Sequence, residues 1–133
     1  MALYEKLGDH TRTLPGDDMD VRCAVDREID RAVVAVVVGA FDAVGADRLW
    51  ERVVSMLDEE MPSLLVDLTG VELITSAGIG ALVRLLHRVQ KLGGRLVAFG
   101  ANPRVRQVID VVMLGEILGM CDTIDEARAR LVG

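Results

Sequence analysis

The chain has 133 residues, 51% hydrophobic but only 3% aromatic, and a formal net charge of −6. That length suits one domain whose core is built from valine, leucine, isoleucine and alanine. An acidic balance gives no chain-wide attraction for nucleic acid or anionic lipid, so protein partners or small ligands fit better. The longest apolar run, residues 32–41, is far short of the ~20 residues of a membrane span. The start of the chain, with Glu5, Lys6, Asp9 and His10, is unlike a signal peptide, and a soluble cytoplasmic protein is expected. Cys23 and Cys121 form no CxxC pair and His10 and His87 stand alone, so no metal or cofactor is implied. Buried free thiols are the favoured state of the two cysteines, with a single disulfide the alternative.

Residues 1–19 lack periodicity and include Leu14-Pro15-Gly16-Asp17-Asp18, which predicts a flexible extension ahead of one domain over 20–133. Alternation over 21–25 predicts an edge strand, and Asp26-Arg27-Glu28 a turn. The β-branched run over 32–38 predicts a strand covered on both faces, ended by Gly39-Ala40-Phe41-Asp42. A helix follows over 44–60, with Val44, Leu49, Val53 and Leu57 on its apolar stripe and Ala46 and Trp50 beside them. Leu64-Leu65-Val66-Asp67-Leu68 is a second buried strand, leading through a short loop to a helix that begins near Ser76. Ile79, Leu82, Val83, Leu86 and Val89 share one face of that helix, and Gly93-Gly94 stops it. Residues 95–99 make the next strand, and Asn102-Pro103 caps a helix running to Val112. A short strand is expected over 117–121, and Thr123-Ile124-Asp125-Glu126 is a capping box opening the last helix. The order β-β-α-β-α-β-α-β-α implies an α/β domain with a mixed, mostly parallel sheet of about five strands and about four helices.

Most enzymatic readings fail on spacing. Ser76 lies in Ile-Thr-Ser-Ala-Gly rather than a Gly-x-Ser-x-Gly elbow. His87 stands roughly 16 Å further along the same helix, too far to serve as its base. Gly78-Ile79-Gly80 lacks the third glycine of a dinucleotide loop, and no Gly-Lys-Ser/Thr phosphate loop exists. Asp42, Asp67 and Glu72 have the chemistry of a magnesium or acid–base site, but strand-end carboxylates more often cap helices or hold loop amides.

Ser76 keeps an interest of its own. The first N–H groups of a helix lack internal acceptors and favour an anion, so a phosphate ester there is stabilised locally. It also changes the surface a partner meets. The glycines at 78 and 80 admit two uses, close packing on the sheet or a low surface that lets another backbone approach. Ala81 and Leu85 are read as projecting off the buried stripe, on a face suited to docking.

Asp67-Leu68-Thr69-Gly70-Val71, followed after a short apolar link by Ser76-Ala77-Gly78-Ile79-Gly80-Ala81-Leu82, resembles the signature of the STAS-domain anti-sigma factor antagonists. Gly39-Ala40-Phe41-Asp42 is similar to that family's Gly-x-x-Asp, and the resemblance covers roughly residues 19–133. It implies a protein that binds an anti-sigma factor, usually an ATP-dependent serine kinase, and so frees a sigma factor. It also implies that the kinase switches the antagonist off by phosphorylating Ser76 (Thr75 is the lesser candidate) and that a phosphatase reverses this. The partner surface so implied comprises Asp42, Thr75, Ser76, Ala77, Gly78, Gly80, Ala81 and Leu85. By that resemblance, Thr75 stands at the position where the family usually has aspartate, and Ala40 where it usually has an acidic residue. The resemblance also admits a non-phosphorylated STAS scaffold in a stress-signalling or lipid-transport complex. A small nucleotide-responsive enzyme is a more distant reading.

Overall fold

The computed structural model describes residues 19–26 and 31–132. Residues 1–18 of the extension expected over 1–19, and Arg27 and Glu28 of the turn expected from Asp26, lie outside these residues; Met19 and Asp26 are the end residues of the first strand. Strand β2 (Ala32–Phe41) is almost wholly small or β-branched, and its alternate residues enter opposite faces of the sheet. Val33, Ala35 and Val37 join the core shared with helices α1 (Ala43–Val54) and α2 (Ser76–Lys91). Ala32, Val34 and Val36 join the core shared with the last helix, α4 (Ile124–Val132). Being covered on both sides makes β2 an interior strand, as its composition predicts.

The sheet order is β1-β2-β3-β4, with β1 (Met19–Asp26) on one edge, antiparallel to β2. Strands β2, β3 (Ser63–Ile74) and β4 (Leu96–Phe99) run parallel. β3 is longer than expected: pairing continues past Asp67 to Ile74, where the sequence suggests a loop. Register shifts between Val36 and Val38 and between Gly39 and Ala40 absorb the extra residues of β3. Gly39, at φ +89°, takes a backbone conformation that side chains disfavour.

The strand expected over 117–121 is instead a set of turns. Leu118 N–H donates to Leu114 O at 2.9 Å and Met120 N–H to Gly115 O at 3.0 Å, leaving one bridge between Phe99 and Cys121. Gly115 and Gly119 (φ +57°) let the chain coil tightly enough to insert Leu118 into the core. Among the described residues the sheet therefore has four strands, three of them parallel, rather than about five. The four helices are as expected, although α1 stops at Val54. Beyond it Asp58 Oδ1 accepts from Glu60 N–H and Met61 N–H in a turn.

The expected helix signals are in place. Asn102 Oδ1 accepts from Val105 N–H at 2.8 Å and Pro103 opens α3 (Pro103–Val111). Gly93 (φ +81°) ends α2, with Gly94 N–H bonded to Val89 O and Gly93 N–H to Gln90 O. Thr123 Oγ1 accepts from Glu126 N–H at 3.2 Å, and Glu126 reaches back to Asp122 N–H at 3.3 Å.

Candidate functional site

Phe41 and Ile74 are register partners at the C-terminal ends of β2 and β3, so the two strands deliver α1 and α2 side by side. Their N-termini share one edge of the sheet, the edge where parallel α/β folds place ligands and partners. Thr75 ties them together. Its N–H and its hydroxyl both donate to Phe41 O, at 3.1 and 3.3 Å. The same Oγ1 accepts from Gly78 N–H at 3.4 Å, which makes Thr75 the N-cap of α2. An aspartate at this position would accept the capping bond but could not donate to Phe41 O.

Ser76 is therefore the first residue of the helix rather than its cap, and it is exposed. Its hydroxyl has no partner among the described residues, nor do the Ser76 and Ala77 N–H groups. The arrangement offers a free alcohol beside two unsatisfied amide donors at the positive end of a 16-residue helix. Asp42 sits across from it, half-buried, with Oδ1 accepting from Gly45 N–H at 3.1 Å as the cap of α1. Asp67 is buried, and its Oδ1 takes the Thr69 N–H at 2.9 Å and the Thr69 hydroxyl at 2.7 Å. Both carboxylates thus do local structural work.

The two glycines separate cleanly. A Cβ on Gly78 would lie 2.5 Å from Phe41 O and 3.0 Å from Ile74 Cγ1, so this glycine lets α2 press against the end of β2. A Cβ on Gly80 would meet nothing within 4 Å. Ala77 and Gly80 lie exposed beside Ser76, whereas Gly78 is buried.

Ala81 and Leu85 do not belong to this surface. Both are fully buried in the core against the sheet, which corrects their assignment to a docking face. The buried arc of α2 is Gly78, Ala81, Leu82, Leu85, Leu86 and Val89. It is rotated by roughly 60° from the stripe drawn through Ile79 and Val83. Two residues without bulk set its position, Gly78 near the centre and Ala81 at one edge, and large apolar side chains alone do not reveal it. Val44 errs in the opposite direction. It is 58% exposed on the first turn of α1, next to Asp42. Its five-residue offset from Leu49, roughly 140° around a helix, is the signal that it faces outward.

A cavity of about 600 Å³, lined in part by Leu86, Gln90, Arg95 and Arg130, lies toward the far end of α2 and shares no residue with this surface. Cys121 is a free, buried thiol, and burial raises its pKa above the ordinary thiol value. No helix of the described residues is long and apolar enough to cross a membrane.

The family model for the STAS domain matches residues 24–127. A Thermotoga neapolitana protein named as an anti-sigma factor antagonist, a TM1081 homolog, is 32% identical over 58% of this chain and 68% of its own length. The crystal structure of an anti-sigma factor antagonist from Mycobacterium paratuberculosis superposes with a TM-score of 0.74 at 22% identity, covering 90% of this chain and 98% of that one. The phosphorylated form of the Bacillus cell fate determinant SpoIIAA has a TM-score of 0.63 at 18% identity, over 81% of this chain and 97% of its own.

Proposed function

We propose, because this chain belongs to the STAS domain family, that it is an anti-sigma factor antagonist switched by phosphorylation of Ser76. Unphosphorylated, it binds an anti-sigma factor with serine-kinase activity in the cytoplasm and releases a sigma factor. The kinase turns it off by modifying Ser76, and a phosphatase restores it. The observation that carries this reading is the free, exposed Ser76 hydroxyl at the first turn of α2, while the neighbouring Thr75 hydroxyl is engaged in both directions.

The physics of such a switch is local. A phosphate brings about −1.5 to −2 charge at pH 7 and three strong acceptors. The unpaired amides of Ser76 and Ala77 receive it, so the antagonist itself stays folded. A partner seated on Val44, Asp42, Ala77 and Gly80 has to desolvate that dianion beside the Asp42 carboxylate. Moving occupancy from 99% to 1% requires about 5.5 kcal/mol of differential affinity, a magnitude one mismatched, desolvated dianion supplies in large part.

The test is to incubate the protein with ATP and a serine-kinase anti-sigma factor from the same cells, then map phosphate by mass spectrometry. Modification at Ser76 is expected, together with loss of kinase binding in Ser76→Asp and its retention in Ser76→Ala. Equal affinity of both variants removes the switch, and modification at Thr75 alone reassigns it.

A further inference from the structure

The exposed face of α2 does not end at Gly80. At 100° per residue, Ser76, Gly80, Arg84, His87, Arg88 and Lys91 fall within roughly a third of the helix circumference. One continuous stripe therefore runs from the candidate phosphosite to the far end of the helix. Every ionisable side chain of α2 lies on it, and none is acidic, in a chain whose net charge is −6. Beside the stripe α1 contributes Trp50 and Val54, and together they bound a groove of about 350 Å³ whose lining holds no carboxylate. The Arg84 guanidinium stands 4.7 Å from the centroid of the half-buried Trp50 ring. Arg88 and Lys91 form no ion pair with any described residue. The acids of α1, Asp47 and Glu51, are exposed but take no part in the lining.

A groove of this kind has a definite preference. Its floor is an aromatic face already held by a cation, and its rim carries unneutralised charge of one sign. Charges so placed attract a segment of opposite sign and suppress partners of like sign. We propose that the α1–α2 groove is a second docking site, which takes an acidic, partly apolar segment of the protein partner engaged at the Ser76 end of the same stripe. The inference rests on the docking role proposed above for the identity of the partner, but not for the chemistry of the groove. The stripe gives the partner one footprint with two parts: a neutral, low part at Gly80 that a phosphate interrupts, and a basic part that steers and orients.

Trp50 is the only tryptophan of the chain, so its fluorescence reports the groove directly. The probe is a synthetic helical peptide with glutamates at i, i+3, i+4 and i+7 and leucines on the adjoining stripe, compared with its glutamine analogue. Titration of the full chain with the acidic peptide is expected to give a saturable change in Trp50 emission that weakens as salt rises, and the glutamine peptide none. Arg88→Gln combined with Lys91→Gln is expected to weaken binding by about tenfold. Arg104→Gln with Arg130→Gln removes the same net charge from α3 and α4 and is expected to leave it unchanged. Equal weakening by the two pairs would show attraction to net charge alone, and equal binding of the two peptides would show no charge preference; either overturns the proposal. Thermal melts confirm that both pairs are folded. The assay contains no kinase, so its failure is distinct from failure of the Ser76 switch. If the kinase binds with the Arg88/Lys91 pair neutralised as tightly as without it, the groove does not serve that partner and the proposal falls.

Discussion

Gly78→Ala and Gly80→Ala should move stability in opposite directions, although only Ile79 separates the two residues in one short motif. Each substitution gains about 1 kcal/mol from replacing glycine by the best helix former. At Gly80 nothing opposes that gain, because a Cβ there meets no atom within 4 Å. The melting temperature should rise by roughly 3–5 °C for a domain of this size. At Gly78 the added carbon lies 2.5 Å from Phe41 O and 3.1 Å from Phe41 Cγ. Phe41 O cannot retreat freely, since it holds the Thr75 N–H at 3.1 Å and the Thr75 hydroxyl at 3.3 Å. Overpacking a dense site costs about 1–3 kcal/mol, and separating α2 from β2 adds the loss of those bonds. The net result should be a destabilisation of about 1–2 kcal/mol, read from urea and thermal denaturation of the two variants beside the parent. A Gly78→Ala protein as stable as the parent would refute the packing argument, and a destabilised Gly80→Ala protein would refute the open face.

Leu85→Ala should cost about 2–5 kcal/mol in urea unfolding, as for a large core side chain, while the fraction that remains folded binds the partner normally. A stable Leu85→Ala protein with lost binding would return this residue to the docking surface. Thr75→Ala removes the N-cap of α2 and should cost about 1 kcal/mol, with Thr75→Ser recovering most of it. Burial holds the Cys121 thiol protonated above its ordinary range, so at pH 8 it should react with iodoacetamide far more slowly in the native protein than in urea. Peptide mass spectrometry follows that residue by itself, and equal labelling rates would contradict the burial.

Much of this fold is legible where one residue type has one reason to be present. The seven residues from Ala32 are small or β-branched with no polar face, and only a strand covered on both sides uses such a run. Asn102-Pro103 and Thr123-x-x-Glu126 place helix starts because their side-chain oxygens match the spacing of the first free amides. The segment from Gly115 to Cys121 is harder to read, since Ile117, Leu118 and Met120 suit a short strand as well as a turn that plugs a core. Tertiary packing decided for the turn. The proposed docking surface is half legible for a related reason: a single serine at the start of a helix stands out, but the rotation of α2 depends on Gly78 and Ala81. Small residues record how closely the sheet approaches, not which side chains are apolar. Trp50 and the basic stripe are visible in the sequence as separate features, and only the pairing of α1 with α2 brings them together.

In the switch proposed above, a charge on one exposed alcohol at the start of α2 decides whether the partner binds. Calorimetric titration of the anti-sigma factor with the antagonist, before and after stoichiometric phosphorylation at Ser76, tests it most directly. Affinity should fall by about 10⁴-fold, as a switch from nearly full to nearly empty occupancy requires, with no loss of fold by circular dichroism. Affinities that agree within about twofold, a gap of less than ~0.5 kcal/mol, would contradict it.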